Sequence, residues 1–363
     1  MKMLLLGDVC PTVNNAEFFE KKDMTTLFGN SMPIFEGNDF TFVNLECALT
    51  EHDVPIDKYG PALKAPIATA EVLKNIGVDC CGLSNNHVFD FGKKGIRDML
   101  AALEQNEIDY TGFGDNYEDS RKNYIIDKNG ERIALIAVCE HEYSYALENR
   151  MGSRAYDEYD TMEDVRKAKE TCDRVIVIYH GGKEFCRYPS PRLRKLCRAL
   201  VKNGADVVLC QHSHCIGCYE NFNGAHILYG QGNFHFVKSH KFNGWYTSLA
   251  VKYDSITNTI AFSPLKNNEF GVMIPSKDES EQIMREFYAR NEELTNGKWL
   301  DGWKTFCEEM KPTYLDCVAK AFAPGSTPRQ DGKFSHFLDC ESHTDVWREL
   351  FPSLNLTNCL DEE

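Results

Sequence analysis

Three histidines stand at the ends of two apolar runs. Val175-Ile-Val-Ile-Tyr-His180 leads into Gly181-Gly182, and Val207-Val-Leu-Cys-Gln-His212 leads into Ser213-His214. Neutral imidazole is the commonest protein ligand for transition metals, so two runs delivering three imidazoles point to a metal site. Carboxylates and amides of the matching kind end three further runs. Met3-Leu-Leu-Leu-Gly7 ends on Asp8, Phe40-Thr-Phe-Val-Asn44-Leu45 ends on Glu46, and the run from Val78 ends on Asn85, Asn86 and His87. A mixed oxygen and nitrogen set suits one or two divalent Mn, Zn or Fe ions better than Ca or Mg. Each residue taken singly reads equally well as a lone polar group at a strand end. Five runs ending this way make the metal reading the stronger one.

The elements that must position these groups follow from the same runs. Short apolar, β-branched stretches read as buried parallel strands, and open α/β sheets place ligands at the carboxyl ends of such strands. Helix candidates lie between them: Ala16 to Leu27, Ala68 to Ile76 ending at Gly77, Gly92 to Asn106, Asp164 to Cys172, and Pro191 to Asn203 ending at Gly204. Alternation of this kind is the βαβ pattern. Asn123–Asp127 and Arg132–Val138 read as a hairpin through Asn129-Gly130. After Cys215 the runs shorten (219–222, 226–229, 248–253, 259–262) and Asn223-Gly224 is a hairpin signal, so a second, largely antiparallel sheet is expected to pack on the first. From about Lys277 the chain turns helical and charged, with Trp299, Trp303, Phe306, Trp347 and Phe351 as packing anchors. The expected organisation is an α/β body over 1–266 and a C-terminal helical cap or extension over 267–363, a candidate surface for a protein partner.

Composition narrows the partners. A net charge of −15 disfavours nucleic acid and anionic membrane, which favour a basic face. It leaves open a phosphorylated or polyanionic small substrate or polymer, because a metal supplies local positive charge. No stretch is long enough for an integral membrane segment, and the apolar run at Leu4 is too short for a signal peptide, so a cytoplasmic location is expected. Fifteen cysteines then read as free thiols, those inside apolar runs acting as small hydrophobes. Cys215-Ile-Gly-Cys218 has zinc-ribbon spacing but no second pair to complete four ligands.

Gly7-Asp8, Asn44-Leu-Glu46, Asn85-Asn86-His87, His180-Gly-Gly, His212-Ser-His214 and Gly230-Gln-Gly-Asn233-Phe234 occur in this order. The ordered set resembles the CapA family, named for capsule and poly-γ-glutamate synthesis, which looks like a branch of the calcineurin-like metallophosphoesterases. Lys64-Ala-Pro66 and Glu184 also fit, and the resemblance covers roughly residues 1–266. It implies a two-sheet αββα sandwich with helices outside. It implies Asp8 and His214 on a first metal, Asn86, His180 and His212 on a second, and Glu46 bridging. His87 then stands beside the substrate as proton donor or oxyanion stabiliser. Three departures accompany the match. Cys10 stands where the superfamily has the histidine of Asp-x-His. Asn44-Leu-Glu46 replaces the bridging Gly-Asp-x-x-Asp. The acid that follows the Asn-His pair is missing, and Asp90 is the candidate substitute. The second site thus looks complete and the first lacks one imidazole. Cys10 reads as a small buried thiol before it reads as a thiolate ligand.

The remaining polar residues near these motifs divide between roles. Lys183, Glu184 and Arg187 form either a solvated loop or a substrate-binding one, a guanidinium being suited to phosphate or carboxylate. Glu184 is also placed to support a ligating histidine. Asn85 and Asn233 are counted with the substrate-binding set, Asn233 as a supporting residue. His141 is a cleft or surface residue, and His235 and His240 are expected at the surface or cleft rim. The expected function is a CapA-like metal-dependent hydrolase of a phosphoester or related bond, linked to capsule, poly-γ-glutamate or other cell-envelope polymer metabolism. The alternative is a non-catalytic metal-binding accessory protein of polyglutamate biosynthesis.

Overall fold

The computed structural model describes residues 1–352. Two mixed sheets face each other. The larger holds parallel strands Lys2–Val9, Phe40–Leu45, Cys80–Gly82 and Asp109–Thr111, extended on the other side of Lys2–Val9 by antiparallel Thr247–Asp254, Thr259–Asn267 and Val272–Met273. The smaller holds Glu131–Cys139, Arg174–His180, Val207–Gln211 and Ala225–Leu228 in parallel, with Tyr124–Lys128 and Tyr219–Phe222 antiparallel at its edges.

Strand periodicity builds the layers. Met3 and Leu5 join Leu135, Ile176, Ile178 and Leu209 in the core between the sheets. Their neighbours Leu4 and Leu6 face the helices Thr69–Asn75 and Gly92–Gln105 on one outer face. Ala134, Ile136, Val175 and Val177 face Glu158–Thr171 and Pro191–Lys202 on the other. This is the expected αββα sandwich. The later strands differ from expectation. They form no sheet of their own: the hairpin Tyr219–Phe222/Ala225–Leu228 adds to Val207–Gln211 in the smaller sheet and the hairpin Thr247–Asp254/Thr259–Asn267 adds to Lys2–Val9 in the larger, so both sheets are completed at their edges. The expected helix over Ala16 to Leu27 is two short helices, Ala16–Glu20 and Met24–Phe28, broken at Lys22, whose φ of 55° is left-handed.

From 277 to 350 the chain is helical: Lys277–Asn296, Trp299–Ala321, Pro328–Asp339 and Glu341–Leu350. Ser276 with Glu279 and Thr327 with Gln330 form capping boxes, and Gly297 ends the first helix at φ 92°. Phe287 enters the core between the sheets, and Leu294 and Trp299 pack on the outer face of the smaller one. Trp303, Tyr314, Phe337 and Val346 form a separate cluster closed on Cys186. None of the described helices is long and apolar enough to cross a membrane.

Candidate metal centre

The carboxyl ends of the parallel strands of both sheets meet at one edge of the sandwich. Asp8, Glu46, Asn86 and His87 arrive from the larger sheet, and His180, His212 and His214 from the smaller; all seven are buried. The turns that aim them are conformationally demanding. Gly7 lies so close to the Gly232 carbonyl that a Cβ would sit 2.2 Å from its oxygen, and this contact brings Asp8 beside Asn233. His212 and His214 both hold left-handed backbone, at φ 77° and 53°. Non-glycine residues adopt this region at some expense, and it recurs where side chains are aimed at a site.

Glu46 lies between two groups of possible ligands. Glu46, His180 and His212 bring ligand atoms within 4.8 Å of one another, and so do Asp8, Glu46 and His214. Glu46 is fully buried, and neither of its oxygens has a hydrogen-bond partner among the described residues. His212 Nδ1 is likewise without one. Buried polar atoms are almost always paired, so a carboxylate with both oxygens unpaired fits a site built to hold cations. Burial, with the charges of Glu184 and Asp90, pushes Glu46 well above the carboxylate range. Burial and Glu46 push Asp8 up to about 7. The imidazoles move the opposite way. Burial and the neighbouring His180 take His212 down to about 3, and His180 and His214 are lowered chiefly by burial. Neutral imidazoles offer lone pairs, and acids held reluctantly charged welcome a counter-ion, so the donor set fits divalent metal.

A second layer orients this set. Asn44 Nδ2 donates to Asp8 Oδ1 at 2.7 Å and lies 3.1 Å from His180 Nδ1, while Asn86 Oδ1 is 3.0 Å from His180 Nε2. Asn233 Oδ1 is 2.8 Å from His214 Nδ1, and its amide donates to the Trp245 carbonyl at 3.1 Å. His87 Nδ1 is 2.7 Å from Asp90 Oδ2, and Lys58 pairs with the other Asp90 oxygen. Burial and Lys58 lower His87 to about 4.

The remaining expected residues part company. Asn85 is occupied internally: its amide donates to Asn44 Oδ1 and the Leu45 carbonyl, and its Oδ1 accepts from the His87 backbone at 3.1 Å. It braces the loop instead of facing the cluster. Glu184 lies 3.9 Å from His214 Nε2 and 3.9 Å from buried Lys183. Burial opposes its charge, but Lys183 and the imidazoles pull it down to about 2. Arg187 turns away, stacking over Phe242 with its nearest carboxylate at Glu286. Cys10 joins neither ligand group. Burial and contact with Cys47 raise its thiol well above the ordinary range. His235 is not at the surface; it is 1 % exposed, packed against Phe19 and Phe28 with Nε2 on the Leu27 carbonyl, because the strand Asn233–His235 is buried on both sides, the short helices Ala16–Glu20 and Met24–Phe28 covering it. The Cys215 and Cys218 thiols donate to the carbonyls of Cys186 and Arg187.

Three residues without a sequence signal complete the surroundings. Glu142 lies 3.6 Å from His212 Nε2 and 3.3 Å from His336 Nε2. His336 comes from the helix Pro328–Asp339 and stacks on Tyr143 at 4.9 Å. Lys58 comes from an irregular loop. Beside them opens a cavity of about 750 Å³ lined by Lys58, Tyr59, Tyr143, Arg150, His336 and Asp339. The tail is tied down here by Glu140, which accepts from Tyr179, Arg192 and the Ser342 backbone, and by Glu341, which holds His141 at 2.6 Å.

Residues 2–238 match the family described as bacterial capsule synthesis protein PGA_cap. The chain belongs to this family. All seven clustered residues fall inside the matched stretch, and His336 falls outside it. The capsule biosynthesis protein CapA of Bacillus anthracis is 27 % identical over 247 residues, 65 % of this chain and 60 % of that one. The PGA biosynthesis protein CapA of Bacillus subtilis (strain 168) is 29 % identical over 239 residues, 64 % of this chain and 62 % of that one. The chain therefore spans about three-fifths of the length of these PGA_cap relatives. A 5'-nucleotidase from Candida albicans SC5314 aligns with a TM-score of 0.42 and 9 % identity, over 80 % of this chain and 58 % of that one. That likeness is too distant to bear on activity.

Proposed function

We propose that this member of the PGA_cap family is a metal-dependent hydrolase of the metallophosphoesterase type, acting on a phosphoester or related bond in capsule, poly-γ-glutamate or other envelope-polymer metabolism. One observation carries the reading. Glu46 sits between Asp8–His214 and His180–His212 with both carboxylate oxygens buried and without a hydrogen-bond partner among the described residues, His180 Nε2 standing 3.4 Å from Oε1. Asp8, Glu46 and His214 would hold one divalent ion, and Glu46, His180, His212 and Asn86 a second. Bound ions would supply Lewis-acid polarisation of a phosphoryl oxygen and favour ionisation of an attacking water.

The chain's own residues supply the rest. Asn44 and Asn233 fix Asp8 and the rings of His180 and His214, so the ligands need little reorganisation. With Nδ1 held by Asp90, His87 leaves Nε2 to face a reacting group. The ring is neutral at neutral pH, and an arriving anion favours its protonation, so Nε2 is suited to hold and pass on a proton. Glu142 and His336 wall off the cluster beside His212, and the 750 Å³ cavity beyond Lys58 has room for the non-reacting part of a substrate.

A second reading, a metal-binding accessory protein without hydrolytic activity, is favoured by Cys10. Cys10 lies outside both ligand groups, so the Asp8–Glu46–His214 group has one imidazole where the second has two. Metal analysis of protein purified without chelator, with a panel of phosphomonoester, phosphodiester and γ-glutamyl substrates, separates the two. The hydrolase reading expects Mn, Zn or Fe together with turnover that Glu46→Gln abolishes. Metal without turnover selects the accessory role, and absence of all three metals refutes both.

A further inference from the structure

A second cavity, of about 390 Å³, lies between the helix Lys277–Asn296 and the loop after His180. Arg290 reaches it from the helix and is 7 % exposed. Its Nε donates to the Gly217 carbonyl at 3.3 Å, and no carboxylate among the described residues pairs with it within 4.0 Å. Arg187 reaches the same cavity from the loop. The one carboxylate near it among the described residues, Glu286, stands 3.9 Å away and is half-exposed. The other wall charges, Lys266 and Glu279, satisfy each other at 2.7 Å. Burial, with the charge of Arg187, lowers Arg290 from the ordinary arginine range.

Among the described residues, two guanidinium groups thus share one pocket in which Glu279 is taken by Lys266 and the other wall carboxylate, Glu286, is distant. A buried, uncompensated cation is strongly unfavourable, and a second cation facing it adds repulsion. An anion relieves both. Each guanidinium presents a planar fork of N–H donors, and forks arriving from two elements suit an acceptor with oxygens in several directions, a tetrahedral oxyanion more than a planar carboxylate. We propose that Arg187 and Arg290 form a binding site for a phosphate-type oxyanion, separate from the Asp8–Glu46 cluster. Phe185 and Phe242 stand between, Phe185 ranged along His214 at 6.2 Å and Phe242 beneath Arg187. The site ties the tail helix to the loop that also carries Lys183 and Glu184, and it does not depend on the hydrolase reading.

The test is calorimetric titration of orthophosphate into the full chain after chelator treatment, which removes binding through metal. One phosphate per chain is expected. Arg187→Gln should weaken it by roughly tenfold or more, as loss of a charge-assisted pair does. Glu286→Gln should tighten it, because the competing carboxylate is gone. Both side chains are partly exposed, so both variants should fold even if Arg290→Met does not. Asp8→Asn should leave the affinity unchanged. No phosphate binding in the millimolar range, or binding indifferent to both Arg187→Gln and Glu286→Gln, overturns the proposal. Loss of binding in Asp8→Asn assigns the phosphate to the other cluster and overturns it equally.

Discussion

Replacing Asp8 by asparagine should make the metal-free protein more stable at pH 8, not less. Asp8 is fully buried and its carboxyl is pushed from 3.8 to about 7, by burial first and Glu46 second. The folded chain therefore holds this proton more tightly than the unfolded chain does. The stability tied to it is complete below about pH 4 and is lost as the pH rises to about 7. A span of about three pH units corresponds to on the order of 4 kcal/mol. Part of that comes from the charge of Glu46, itself pushed up, so the usable share is smaller. Asparagine keeps the shape but turns an amide toward the His212 backbone N–H, which Asp8 now accepts at 3.2 Å, a loss of about 1–3 kcal/mol. The net expectation at pH 8 is a gain of about 1–2 kcal/mol, roughly a few degrees in Tm. The advantage should vanish or reverse near pH 5, where the parent's Asp8 is protonated. Burial lowers His180, His212 and His214 in both proteins, and loss of the Asp8 charge removes one influence that raises His180, so the comparison is read as the change between pH 5 and pH 8. Metal reverses the comparison. At a hundredfold excess over Kd a bound ion adds about 2.7 kcal/mol to the parent, and Asp8→Asn should gain clearly less. Thermal unfolding at pH 5 and pH 8, with chelator and with Mn or Zn, tests both halves. An Asp8→Asn protein less stable than the parent at pH 8 in chelator, yet equally stabilised by metal, would show that Asp8 is an ordinary buried acid.

Three other outcomes follow from the same geometry. His180→Ala or His212→Ala should lower metal content measured by elemental analysis far more than His87→Ala, because His87 faces Asp90 and Lys58 instead of Glu46; equal losses would overturn this division. Cys10→Ala should leave metal content within error of the parent and lower stability by about 1 kcal/mol for the lost buried thiol; a loss of metal would make the thiol a ligand. His336→Ala should retain metal but raise hydrogen exchange in the helix Pro328–Asp339, since the Tyr143 stack and the Glu142 contact hold that helix to the site; unchanged exchange there would mean that the helix is held by the Phe337 cluster alone.

The centre was legible where its residues are attached to periodic strands, and obscure where they are not. Asp8, Glu46, His180 and His212 each follow an apolar run whose burial pattern announces a strand end, and five such ends can be matched without knowing which sheet carries which. The partition itself was hidden. A buried parallel strand reads alike in either sheet, and only the three-dimensional pairing splits Asp8 and Glu46 from His180 and His212. Roles of the second layer were hidden for a different reason. Asn85 and Asn233 are adjacent to motifs and equally polar, yet one spends its amide on its own loop and the other orients His214. No local pattern separates the two. His336 was beyond reach altogether, since a histidine in a charged amphipathic helix carries no mark of the strand ends it meets. That placement has a consequence for how the chain could diverge in function. The ligand set lies within residues 2–238, while one wall of the adjacent cavity comes from the helix Pro328–Asp339 outside the matched stretch. Changes in the tail can therefore reshape what fits beside the cluster without disturbing the residues that would hold metal. Changes at Glu46 cannot be confined in that way, because its carboxylate belongs to both ligand groups at once.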